Sequence, residues 1–216
     1  MLLSKRSYER NPPSKDAKKV YIICEGTRRE PKYFAFFQEL DSRIDIIIHT
    51  FSDQADNSPR GLGKMAMDNF LPQPNHRAPL VELIEGDELW IVLDTDPDKT
   101  QSRKQPIVEL LQLCQEKRWK IAVSNPCFEV WLCFHFQSAI PDFALDEGCS
   151  KLKNLLNSLI SGGFDCRKHP AWIETAIAHA SKAYQSSENL PLEGSTQVYL
   201  LAQSIFDLVK DKLNFR

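Results

Sequence analysis

Residues 20–24, Val-Tyr-Ile-Ile-Cys, form an unbroken apolar run that stops on the carboxylate of Glu25. A strand that is apolar at successive positions has both faces covered, which is the condition of a strand inside a parallel sheet. Further strands are predicted at residues 44–51 (IDIIIHTF), 89–93 (LWIVL) and 120–123 (KIAV). Between them lie segments with helical spacing: Tyr33, Phe34, Phe37 and Leu40 follow the first strand, and Ile107, Leu110, Leu111 and Cys114 follow the third. Strand alternating with helix predicts an α/β fold, a mainly parallel four-stranded sheet flanked by helices on both faces. In such sheets ligands collect outside the carboxyl ends of the strands, so chemistry is expected where the apolar runs end.

Punctuation residues set the remaining boundaries. The polar stretch 52–63 is expected to lack regular structure, with a short helix over 64–70 and an irregular proline-rich connection over 71–79. Its Gly61-x-Gly63-Lys64 lacks both the spacing and the Ser/Thr of a phosphate-binding loop, and a turn suffices to explain it. Pro106 is expected to open the helix after the third strand, and Asn125-Pro126 to start another as N-cap and first helical residue. Residues 128–136 are apolar all round except for Glu129 and His135, the composition of a buried helix. Helices over 149–160 and 172–184 follow, and Val198, Leu201, Ala202, Ile205, Leu208 and Val209 make a closing stripe capped by Ser195 or Thr196. The chain therefore divides into a flexible basic arm (1–19), an α/β core (20–140) and C-terminal helices packed on that core (141–216).

With 216 residues, 42% apolar and 26% charged, the chain is long enough for one sizeable core. Its formal net charge of −2 excludes a basic coat for nucleic acid, so any such contact must be local or helped by metal ions. The six cysteines form no CxxC pair and read as small buried residues of a reducing compartment; Cys127, Cys133 and His135, or Cys149, Cys166 and His169, lack structural zinc spacing. No leader pattern precedes the first strand, and no apolar run approaches the roughly 18 residues of a membrane span. A cytoplasmic protein without membrane contact is expected.

The acids at the strand ends carry the chemistry. Thr27-x-x-Glu30 matches a capping box, but Pro31 would then remove the first intrahelical bond, so the helix is read as starting at Pro31 with Glu30 uncommitted at its mouth. Glu129 either complements a helix dipole or, in so apolar a segment, orients a ligand or binds metal indirectly. Asp94, Asp96 and Asp98 crowd the end of the third strand, where the choice lies between a polar turn and a magnesium site built with Glu25. A calcium loop fails, because Lys99 takes the place of its glycine and Gln105 that of its glutamate. A haloacid-dehalogenase-like pattern fails as well, because its acids belong on the first strand.

Glu25 on the first strand with Asp94-Thr95-Asp96 on a later one is similar to the Toprim arrangement of topoisomerases, bacterial primases, OLD-type nucleases and recombination-repair proteins. More closely, the chain resembles the RloB family through residues 23–26 with Glu30 and Tyr33-Phe34, residues 93–96, residues 124–132 with His135-Phe136, and Ser195-Thr196. Glu30 here follows Arg28-Arg29, where similar relatives have a threonine just before the acid. The resemblance implies a Toprim-like core and a Mg²⁺- or Mn²⁺-dependent nuclease in phage defence, acting on DNA or RNA beside a companion defence-system protein. It further implies Glu25, Glu30 and Glu129 as catalytic residues, and Asp94, Asp96 and Glu25 as metal ligands. Arg28, Arg29, Lys99, Arg103 and Lys104 are the cations expected to meet the nucleic-acid backbone. The alternative is a non-catalytic nucleic-acid or nucleotide binding module in the same shell.

Overall fold

The computed structural model describes residues 10–52, 55–75, 78–96, 100–146 and 148–213. Its elements run β1 (Lys18–Cys24), α1 (Arg29–Phe34), β2 (Ile44–His49), α2 (Pro59–Phe70), β3 (Glu88–Asp94), α3 (Thr100–Lys117), β4 (Lys120–Asn125), α4 (Glu129–Cys133), α5 (Cys149–Leu159), α6 (Ile173–Ala183), β5 (Ser186–Ser187), β6 (Leu190–Pro191), β7 (Ser195–Thr196) and α7 (Val198–Leu213). The central sheet has the order β2-β1-β3-β4-β7, and its first three pairings are parallel. Register places Cys24 opposite Val92 and Asp94 opposite Ser124, and the Glu25 N–H continues the ladder to the Val92 carbonyl at 2.9 Å. Glu25 and Asp94 therefore leave the same edge of the sheet on adjacent strands.

The two faces of each central strand feed two apolar layers, as continuous hydrophobicity requires. Val20, Ile22, Cys24, Trp90, Val92 and Ala122 pack with α1, α4, α5, α6 and α7. Tyr21, Ile23, Leu89, Ile91, Leu93 and Val123 pack with α2 and α3 on the other face. Among the described residues no helix is long and apolar enough to cross a membrane.

Several local expectations need correction. The central sheet has five strands rather than four, because Ser195–Thr196 adds a two-residue antiparallel edge to β4. That edge is too short and polar to show strand periodicity, and it is held by a 2.9 Å hydrogen bond between the Ser124 and Thr196 hydroxyls. Thr196 also accepts the Val198 N–H, so it serves helix and sheet together. Helix α1 begins at Arg29, not Pro31; proline is tolerated within the first turn because those N–H groups have no intrahelical partner. Helix α2 begins at Pro59 inside the supposed loop, with the Ser58 side chain accepting the Gly61 N–H. Pro106 lies inside α3, whose first residues are polar and carry no apolar stripe to announce them. Asn125 caps no helix: it ends β4, its side chain accepts the Thr95 hydroxyl and donates to the Pro191 carbonyl, and α4 starts at Glu129. At the amino end, β1 starts at Lys18, while Asn11 and Ser14 donate backbone N–H groups to Glu39 and Ser42. The arm expected over 1–19 thus packs from residue 10, and its first nine residues lie outside the described ones.

Candidate functional site

A cavity of about 260 Å³ opens at the carboxyl edge of the sheet, lined by Glu25, Arg29, Glu30, Asp94, Asp96, Cys127, Phe128, Glu129, Cys149 and Lys153. Five carboxylates from four parts of the chain meet there. Glu25 continues β1, and its Oε2 accepts the Asp94 N–H at 3.0 Å. Asp94 closes β3; its Oδ1 is sealed from solvent without a hydrogen-bond partner among the described residues, while the Phe128 N–H donates to its carboxylate. Glu30 sits in the first turn of α1 and is buried against Gly26. Glu129 opens α4 and is likewise buried. Asp96 sits in the left-handed backbone region at φ 53°, a conformation aspartate tolerates better than most residues, and its N–H donates to the Pro126 carbonyl at 3.1 Å.

Packing acids this closely has an electrostatic consequence. Burial, followed by the charges of Glu30, Glu25 and Glu129, pushes the Asp94 carboxyl well above the ordinary carboxylate range. Glu30 is raised by burial and by Glu129 and Glu25, against the opposing pull of its own backbone N–H and of Arg29. An ionised carboxylate oxygen is an obligate acceptor, so the orphaned Asp94 Oδ1 is satisfied either by a proton or by a cation. The donor set, hard oxygens with few competing hydrogens, suits Mg²⁺ or Mn²⁺. Among the described residues, however, no three His, Cys, Asp or Glu side chains are drawn together as a ligand set.

The cations expected to contact nucleic acid divide. Arg29 and Lys153 are half-exposed on the cavity rim and flank Glu129 Oε1 at 3.6 and 4.0 Å. Arg28 is exposed as the residue preceding α1. Lys104 is exposed and paired with Glu188 at 3.5 Å, and Lys99 lies outside the described residues. Arg103 is turned inward instead: it is buried, with Nη2 donating to Glu25 Oε1 at 2.8 Å and to the Asp94 carbonyl at 3.1 Å.

The sequence model of the family described as RloB-like protein matches residues 20–205. The chain belongs to the RloB-like family. No curated protein and no solved structure matches it. The segments that carry the RloB-like resemblance border the cavity or brace its walls: Glu25, Glu30, Asp94, Asp96 and Glu129 line it. Tyr33 of α1 and His135, two residues past the end of α4, meet in the core, with the Tyr33 hydroxyl 3.1 Å from His135 Nε2.

Sequence reasoning missed Lys153, Gly26 and the two cavity thiols. Lys153 reaches Glu129 from a helix remote in sequence, which no local motif announces. Cys127 and Cys149, read only as core cysteines, are hydrogen-bonded to each other in the cavity wall, and the bond draws the Cys149 thiol down while raising Cys127. Gly26 left a trace in the Glu-Gly pair, whose meaning appears only once Glu30 is folded over it.

Proposed function

We propose that this chain is a cytoplasmic metal-dependent nuclease of Toprim type that hydrolyses phosphodiester bonds of DNA or RNA. One observation carries the reading: carboxylates from β1, α1, β3 and α4 converge on a single cavity at the carboxyl edge of the sheet, with a buried Asp94 oxygen that has no hydrogen-bond partner among the described residues. The residues that would hold Mg²⁺ or Mn²⁺ are Asp94 and Asp96, joined by Glu25. A bound dication supplies charge neutralisation for a phosphate oxygen and acidifies a water.

The rest falls to the chain itself. Glu30, whose carboxyl is raised by burial and by the neighbouring acids Glu129 and Glu25, is the acid placed to take and return a proton. Arg29 and Lys153 hold Glu129 on one side and leave half of their own surface to meet backbone phosphates, together with Arg28. Membership of the RloB-like family supports a place in phage defence, beside a companion defence-system protein. A second reading, a nucleic-acid or nucleotide binding module without turnover, is favoured by the pairing of Glu25 with Arg103, which already neutralises one acid.

Purified protein incubated with mixed single- and double-stranded DNA and RNA decides between them. Cleavage is expected with Mg²⁺ or Mn²⁺, absent in chelator, and at least about 100-fold slower in Asp94→Asn. Cleavage at equal rates by Asp94→Asn and wild type would sink this acidic cavity as the nuclease centre; retention of nucleic acid without cutting under every divalent condition would leave the binding module.

A further inference from the structure

Among the described residues, the cation most tightly paired with a cavity carboxylate is Arg103, which stands behind the lining rather than on the rim. Arg103 is 8% exposed, and its Nε is sealed from solvent with no hydrogen-bond partner among the described residues. Its Nη2 bridges the ends of two strands, donating to Glu25 Oε1 at 2.8 Å and to the Asp94 carbonyl at 3.1 Å. Both oxygens of Glu25 are consequently engaged, since Oε2 already accepts the Asp94 N–H. A guanidinium does not lose its proton in a protein, so this positive charge is permanent. So placed, Arg103 offers little to a docking phosphate. It stands where a dication must compete, because any ion that takes Glu25 Oε1 has to displace the guanidinium from it.

We propose that Arg103 is a resident counter-cation that withholds Glu25 from metal coordination, so that the Arg103–Glu25 pair sets the affinity of the site for a divalent ion. The inference rests on the metal-dependent reading above. Without a dication, the pair prevents Glu25 from adding an uncompensated charge beside Glu30, Asp94 and Glu129. When a dication enters, Glu25 exchanges one cation for another, and the guanidinium keeps the Asp94 carbonyl as an acceptor. Arg103 is in this sense a positioning residue, acting through Glu25 without touching substrate.

The test uses the whole chain without nucleic acid, titrating Mn²⁺ and Mg²⁺ by calorimetry and by melting temperature. Arg103→Met is expected to bind Mn²⁺ about tenfold more tightly than wild type, and to melt lower in chelator with recovery on adding metal. Should that variant not fold, Arg103→Lys, which keeps a charge but loses the guanidinium fork, is expected to bind about threefold more tightly than wild type. Affinity equal to or weaker than wild type in the variant that folds overturns the counter-cation while leaving the metal site standing. Absence of any divalent response in wild type and variants alike overturns the metal reading itself, and the counter-cation with it.

Discussion

At Gly26 a methyl group would have nowhere to go: a Cβ built there lies 2.2 Å from Glu30 Oε2 and 2.5 Å from Oε1. The clash is with a carboxylate that is buried and crowded by other acids, so the side chain has little room to give way. Gly26→Ala is therefore expected to expel Glu30 from its seat and to destabilise the fold by about 1–3 kcal/mol. Urea unfolding measures the loss, and pairing the substitution with Glu30→Ala locates its origin. In the double variant the extra cost of the alanine should vanish; a cost that persists would place the strain in the backbone of the turn.

Helices α1 and α4 each bring one buried glutamate to the cavity, and a polar contact in the core fixes them to one another. His135 Nδ1 lies 3.2 Å from the Trp131 carbonyl, which only accepts, so the proton is on Nδ1 and Nε2 must accept from the Tyr33 hydroxyl. Burial pushes the imidazole down to about 3, which keeps it neutral and holds this directionality across the physiological range. Around the pair, Phe34, Phe37, Phe128 and Trp131 pack edge-on against the Tyr33 ring. Tyr33→Phe preserves these ring contacts and orphans one buried nitrogen, so a loss of about 1–2 kcal/mol is expected. Hydrogen exchange should show faster opening of α1 and α4 in the variant, with α2 and α3 unaffected; uniform acceleration would mean that the contact serves global stability alone.

Across the whole molecule the two ends of the sheet carry opposite charge economies. The carboxyl edge gathers acids against few cations, whereas at the amino edge a single acid, Glu88, collects Lys18 Nζ at 2.7 Å, Lys120 Nζ at 2.8 Å, Trp90 Nε1 at 2.7 Å and Ser204 Oγ at 2.8 Å. That cluster ties β1, β3, β4 and α7 together. Burial opposes its ionisation, but the Lys120, Lys18, Trp90 and Ser204 donors outweigh burial and hold Glu88 at about 2. Because the folded value lies below the ordinary 4.5, its stabilisation is fully present above that pH and is lost as pH falls toward 2. The contribution is on the order of 2–3 kcal/mol at neutral pH. Glu88→Gln should accordingly lower stability at pH 7, with the gap from wild type closing between about pH 5 and pH 2. A gap independent of pH would trace the loss to altered packing rather than to charge.

Continuous apolar runs made the three central strands legible, since burial on both faces leaves its mark on every residue, as at Val20, Ile22, Ile91 and Val92. Acids at the ends of those runs were legible for the same reason, because a charge breaking an apolar strand shows where the sheet meets a ligand-accessible edge. Helix starts were less readable: Pro31 and Pro106 each lie inside a helix whose first residues carry no apolar stripe. Strand β7 was hidden because two polar residues have no period. What only the tertiary structure decided was pairing. Arg103 is one more surface-type cation in sequence, and its capture by Glu25 depends on α3 folding back over the ends of β1 and β3. Lys153 meets Glu129, and Cys149 meets Cys127, only through the packing of α5 on α4. Sequence by itself determined which apolar runs are buried and where charge interrupts them, because hydrophobic burial is written locally in the pattern of side chains. The partner of each buried charge was decided by contacts between segments far apart in the chain, which no local pattern encodes.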